Sequence, residues 1–94
     1  MAKFDKKQLQ RLYNAVLSLK NADECDKFFE DICTIQELET IAQRLEVAGL
    51  IKDGKSYADI SEQTGASTAT VCRVGKCIKY GSGGYDIVLG RIER

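Results

Sequence analysis

A chain of 94 residues, 44% apolar and 30% charged, has the make-up of one small folded domain, not of a disordered tail. Fourteen basic residues balance fourteen acidic ones, so bulk charge supplies no general attraction to nucleic acid. Histidine is absent, which removes the commonest general base; with no C-x₂-C pair among Cys25, Cys33, Cys72 and Cys77, a zinc signature is missing too. No nucleophile motif is present, and an enzyme is not expected. The longest apolar runs fall far short of a membrane span, and the opening MAKFDKKQLQ lacks the apolar core of a signal peptide; no membrane association and a cytoplasmic location are expected.

The absence of proline and the scarcity of alternating β-branched residues point to an all-α chain. Leu9, Leu12, Tyr13, Val16 and Leu17 repeat at helical spacing and predict a first helix from about Asp5 to Ser18. Asn21 caps a second, with Cys25 as a small core residue on the same stripe as Phe28, Phe29 and Ile32. Thr34 and Glu37 form a capping box that opens the longest helix. That helix carries Ile35, Leu38, Ile41, Ala42, Leu45, Ala48 and Ile51 and stops near Asp53-Gly54. These helices, residues 1–52, expose more apolar surface than so short a chain readily hides, which makes them the candidate surface for a homodimer.

Residues 56–80 carry the most information. Ser56 and Asp59 start a short helix with Tyr57, Ile60 and Thr64 on one face, and Val71, Val74 and Ile78 share one face of the next. Gly65 stands at the corner, where positive φ is needed, and Ser67 is the N-cap that follows. This is the layout of a helix-turn-helix, whose second helix enters the DNA major groove by its N-terminal residues. The charge distribution agrees: eight acidic residues stand against Lys27 and Arg44 between Asp23 and Glu46, whereas Val71 to Tyr80 holds Arg73, Lys76 and Lys79 and no acid. After Ile78 the glycine-rich GSGG at 81–84 ends the helix. A short last helix is predicted within 85–94, from Asp86 to Ile92, with Val88, Leu89 and Ile92 inward.

The segments TIQELETIAQRL and DGKSYADISEQTGASTATVCR resemble the tryptophan repressor family, in its YerC/YecD-type branch, well over residues 34–80 and in outline at both ends. The resemblance implies a six-helix, intertwined homodimer that binds double-stranded operator DNA, with a ligand pocket beside the recognition helix. Matched position by position, Thr68, Ala69 and Cys72 fall nearest the bases, with Thr70, Arg73, Lys76 and Lys79 along the same helix. Tyr57, Ala58 and Ser61 fall where the first helix of the pair approaches the DNA backbone. The arginines that flank the family's bound indole match Arg44 and Arg73, and Thr34 matches a threonine near the ligand's polar end. A family glycine is Val74 here, and a family serine is Cys77.

The expected function is therefore a sequence-specific regulator of transcription, a repressor acting as a homodimer, with no cofactor. A small-molecule corepressor is the alternative, and tryptophan is disfavoured because Val74 adds bulk where an indole slot needs room. From another class, the competing function is a protein-interaction module that keeps the fold without operator binding, which the zero net charge and acidic first half favour. A transposase or replication initiator would need a catalytic or nucleotide-binding segment; the glycines at 81–84 are followed by Tyr85, not by a P-loop lysine.

Overall fold

Helices begin where the chain offers a side-chain oxygen to the first unpaired N–H groups. The computed structural model describes residues 5–93, and six helices make up almost all of them, the first five opened by such a cap and the last by Gly83 without one: α1 (Lys6–Leu17), α2 (Ala22–Ile32), α3 (Ile35–Lys52), α4 (Tyr57–Thr64), α5 (Thr68–Tyr80) and α6 (Gly84–Ile92). The first four residues of the opening segment, and Arg94 at the end of the 85–94 stretch, lie outside the described residues. Asp5 accepts from the Lys7 N–H at 2.8 Å, Asn21 from Glu24 at 2.9 Å, and Ser67 from Thr70 at 3.1 Å. The capping box at α3 is complete: Thr34 Oγ1 accepts from the Glu37 N–H at 3.0 Å, and the Glu37 carboxylate accepts from the Thr34 N–H at 2.8 Å. That backbone bond, then the Thr34 side chain, hold the Glu37 carboxyl below the ordinary glutamate range, against a small opposing effect of desolvation. The bond's support for α3 is thus in place above the ordinary glutamate pKa and is lost as pH falls through the depressed value. At α4 Ser56 is the cap, accepting from the Asp59 N–H at 3.2 Å.

Contacts divide the chain inside α3, one unit ending at Leu38 and the other beginning at Glu39. In the first unit no residue of α1 or α2 is buried. Phe28 and Phe29 meet edge to face at 5.4 Å and are half-buried, while Leu17 and Ile32 are 80% and 52% exposed.

The second unit holds the core. Val47 and Ala48 of α3, Ile60 of α4, Ala66 of the turn, Val71 and Val74 of α5 and Leu89 of α6 are buried together. Burying an aliphatic side chain of this size contributes about 1.5–3 kcal/mol, so the four fully buried ones (Val47, Ile60, Val71, Val74) anchor α4 and α5 to α3. The predicted stripes of α3 and α6 are only partly inward. Ile35 and Ile41 stay 75% and 52% exposed, and on α6 Val88 and Ile92 are exposed, leaving Leu89 and the half-buried Tyr85 to face the core. α6 begins at Gly84, earlier than predicted; Tyr85, Leu89 and Ile92 share one side of it, and Ile92, in the last turn, stays 60% exposed.

Gly65 adopts φ 76° and its N–H reaches the Ser61 carbonyl at 2.9 Å, closing α4 with the left-handed residue the sequence predicts. A second glycine has a different reason to be there. Gly75, buried on α5, lies under the Tyr57 ring, and a Cβ at this position would overlap the phenol oxygen. Alanine in a helix interior is ordinarily about 1 kcal/mol better than glycine. Gly75→Ala should show that gain in a Tyr57→Ala background and lose it in the wild type, giving a coupling of about 1 kcal/mol in a urea-denaturation cycle. Equal stabilisation in both backgrounds would remove the close approach as the reason for the glycine.

Candidate nucleic-acid interface

Because Val71, Val74 and Gly75 bury one side of α5, its other side faces outward along the whole length of the helix, about 20 Å at 1.5 Å per residue. Thr68, Ala69, Cys72, Arg73, Lys76 and Lys79 are all exposed there. At 100° per residue these six positions fall on one continuous arc, with the two small residues and Cys72 toward the N-terminal end and the cations following. Among the described residues no carboxylate lies within ion-pair distance of Arg73, Lys76 or Lys79; the ion pairs there are Lys27–Asp23 at 3.2 Å and Lys52–Asp86 at 2.9 Å. From Ser67 to Tyr85 the chain has no acidic residue at all.

The remaining predicted interface residues are placed differently. Thr70 is half-buried and its hydroxyl accepts from Ser67 Oγ at 3.0 Å, so it serves the N-terminal cap of α5. Ser61 is also half-buried, and its hydroxyl donates to the Ala66 carbonyl across the turn. Tyr57 and Ala58 open α4 and are exposed, Tyr57 by 37% with its ring laid over Gly75. Thr64 completes the corner: its hydroxyl donates to the Ile60 carbonyl at 2.7 Å and accepts from the Ala66 N–H at 3.1 Å. The polar groups of the turn are thus bonded to one another, which fixes the angle at which α5 leaves α4.

The residues matched to the family's ligand pocket are not all brought together. An open groove of about 640 Å³ is lined by Ile41, Arg44 and Leu45 of α3, Cys77 of α5, the glycine-rich link, and Tyr85 and Val88 of α6. Arg73 and Val74 do not line it. Val74 is 1% exposed in the core beside Val71, so the expectation that it closes an indole slot is corrected. Its position one turn from Ile78 and three residues from Val71 puts it on the buried side of α5, and the core takes it. Arg73 is exposed and does not line the groove, whereas Arg44 does. Thr34 belongs to the first unit, where it forms the cap of α3. Sequence reasoning missed Leu45, Tyr85 and Val88 as groove walls, since each also fits a core stripe.

The fold is that of an all-α domain of Trp-repressor type, and comparison with known proteins bears this out. The family described as Trp repressor protein matches residues 7–93. The uncharacterised protein YerC of Bacillus subtilis (strain 168) is 48% identical over 87 residues, which cover 93% of this chain and 84% of YerC. Among solved structures, a TrpR-like protein from Eubacterium eligens ATCC 27750 is 47% identical with a TM-score of 0.89, covering 93% of this chain and 90% of that one. A proposed Trp repressor from Staphylococcus aureus is 42% identical with a TM-score of 0.90, covering 93% and 87%. The chain belongs to the Trp repressor family, and the match extends to both ends, beyond the 34–80 core of the sequence resemblance.

Proposed function

We propose that this protein is a cytoplasmic, sequence-specific DNA-binding regulator, a repressor, in which α4 and α5 act as a helix-turn-helix. The observation that carries this reading is the exposed arc of α5: three cations without acidic partners stand behind Thr68, Ala69 and Cys72 on a helix whose other side is locked in the core. Small hydroxyl and methyl groups at the leading end suit contacts to base edges and thymine methyls, and cations behind them suit phosphates. Tyr57 and Ala58 stand at the N-terminus of α4, where N–H groups and the helix dipole favour a phosphate. Cys72 is a weak hydrogen-bonding partner and contributes mainly shape. Salt-dependent binding to duplex DNA tests the assignment. Lys76→Ala should weaken binding to every sequence and reduce the slope of log K against log salt by about one unit, whereas Thr68→Ala should change the preference among sites. Unchanged affinity and preference in both variants would instead favour a protein-interaction module.

The second element of the proposal is the homodimer. The support is the first unit, where Leu12, Leu17, Ile32 and Ile35 are 38%, 80%, 52% and 75% exposed and no residue of α1 or α2 is buried. Apolar surface of this extent, on helices with well-formed caps, suits a second copy that also supplies a second reading helix at about 34 Å, one turn of DNA away. Sedimentation at micromolar concentration should give the dimer mass. Phe28→Asp should cost about 3 kcal/mol or more of folding or association, by placing an unpaired charge among apolar groups. A monomeric wild type would overturn this element.

The proposed regulator works without a cofactor, and tryptophan in particular is not its ligand. An indole held between two guanidinium planes needs both on the slot; of the two matched arginines Arg44 lines the groove, while Arg73 stands on the exposed arc of α5, where a phosphate is the partner proposed for it. Calorimetric titration with millimolar tryptophan should show no tight binding, and DNA affinity should not respond to it. Binding with a dissociation constant in the micromolar range would overturn this, and Arg44→Ala would then show whether the groove holds the ligand.

A further inference from the structure

We propose that Gln43 is a positioning residue for the DNA-reading pair, holding the α4–α5 corner in register on α3; this rests on the DNA-binding reading above. Gln43 is half-buried on α3, one turn before Val47 and on the same side of the helix. Its Nε2 donates to the Thr64 carbonyl at 3.4 Å, across 21 residues of sequence.

The acceptor explains why this donor matters. Thr64 is the last residue of α4, where carbonyls have no partner within the helix. Gly65 turns the chain away in the left-handed region, and its own N–H is committed to Ser61. The Thr64 hydroxyl is occupied with Ile60 and Ala66, and the Ser61 hydroxyl with Ala66. These bonds tie the corner to itself. The Gln43 amide instead ties it to the helix on which the pair rests.

Apolar packing of Val47 and Ala48 against Ile60, Val71 and Val74 holds the pair on α3 strongly but without direction. A hydrogen bond restricts both distance and angle, so Gln43 supplies the directional part of the same contact. Base readout depends on such direction, because an error of about 1 Å at the groove takes short side chains such as Thr68 out of hydrogen-bond range. Phosphate attraction is far more tolerant of it. The assignment therefore separates discrimination from affinity.

The test uses a duplex selected from a random pool by the wild-type protein and a scrambled duplex of the same composition. Gln43→Met keeps length and removes the donor; Gln43→Glu keeps shape and can only accept; Gln43→Lys restores a donor of similar reach. The ratio of selected to scrambled affinity should fall roughly 3- to 10-fold in the Met and Glu variants, the equivalent of one net hydrogen bond, and return in the Lys variant. Affinity for the scrambled duplex and the salt slope should not fall in the Met variant, and urea midpoints identify any variant that is not folded. A merely structural role would lower the midpoint and leave the ratio intact. A wild-type ratio in both the Met and Glu variants, or no recovery with Lys, overturns the assignment of Gln43 alone. A wild type that binds neither duplex in a salt-dependent way overturns the DNA reading and this assignment with it.

Discussion

The exposed surface of α5 is decided by what its buried side touches. Val71 and Val74 pack on Val47, Ala48 and Ile60, and Gly75 lets the Tyr57 ring lie against the helix. With those positions committed, the remaining residues of α5 have one way to face, and every cation of the helix falls on that side. Polar bonds at the corner, from Ser61, Thr64 and Ser67, then set how α4 and α5 meet. The interface is a consequence of the core behind it, and a change of one residue in the α5 register would rotate the cations toward α3. Register here is maintained by volume: a core of three valines, two alanines, one isoleucine and one leucine leaves little slack for a shifted helix.

Much of this was legible in the chain. Caps at Asn21, Thr34, Ser56 and Ser67 and the corner at Gly65 are local devices, each needing only a few neighbouring residues, and all appear where the residues predict them. The apolar spacing of Ile60, Val71 and Val74 likewise gave the inward side of the helix pair. What failed was the reach of the longer stripes. Ile35, Ile41, Val88 and Ile92 have helical spacing, yet spacing says only that residues share a side, not that another element covers it.

The candidate interface residues divide by what their side chains do locally. Thr68, Ala69 and Cys72, matched to the family pattern, and Arg73, Lys76 and Lys79, the cations of the same helix, are all exposed. Ser61 and Thr70 carry hydroxyls that can bond the neighbouring turn, and both are engaged there. Val74 shows the conflict most plainly: helical spacing put it in the core, the family match put it in a pocket, and the core prevails because burying two methyl groups outweighs exposing them to a groove. Gln43 and Gly75 gave no local signal. Their partners, Thr64 and Tyr57, are 21 and 18 residues away, and only the fold brings them together.

Zero net charge bears on how such a protein would discriminate. Each phosphate neutralised contributes roughly −0.9 to the salt slope, so the three cations of α5 would account for a slope of only about −3. Proteins that bind by general basicity have far steeper slopes and correspondingly high affinity for any duplex. With eight acidic residues between Asp23 and Glu46 opposing long-range attraction, nonspecific binding by this chain would be weak. The fraction of affinity left to base contacts would then be large, and in the proposed reading it would fall on Thr68, Ala69 and Cys72, which are short and would reach base edges only where the backbone of α5 came close to the groove floor. Short side chains transmit positional error directly, since they lack the length to swing and compensate. A reader built this way would depend on rigid placement of its helix more than on charge, which is the condition that a hydrogen-bonded corner and a tightly filled core behind α5 provide.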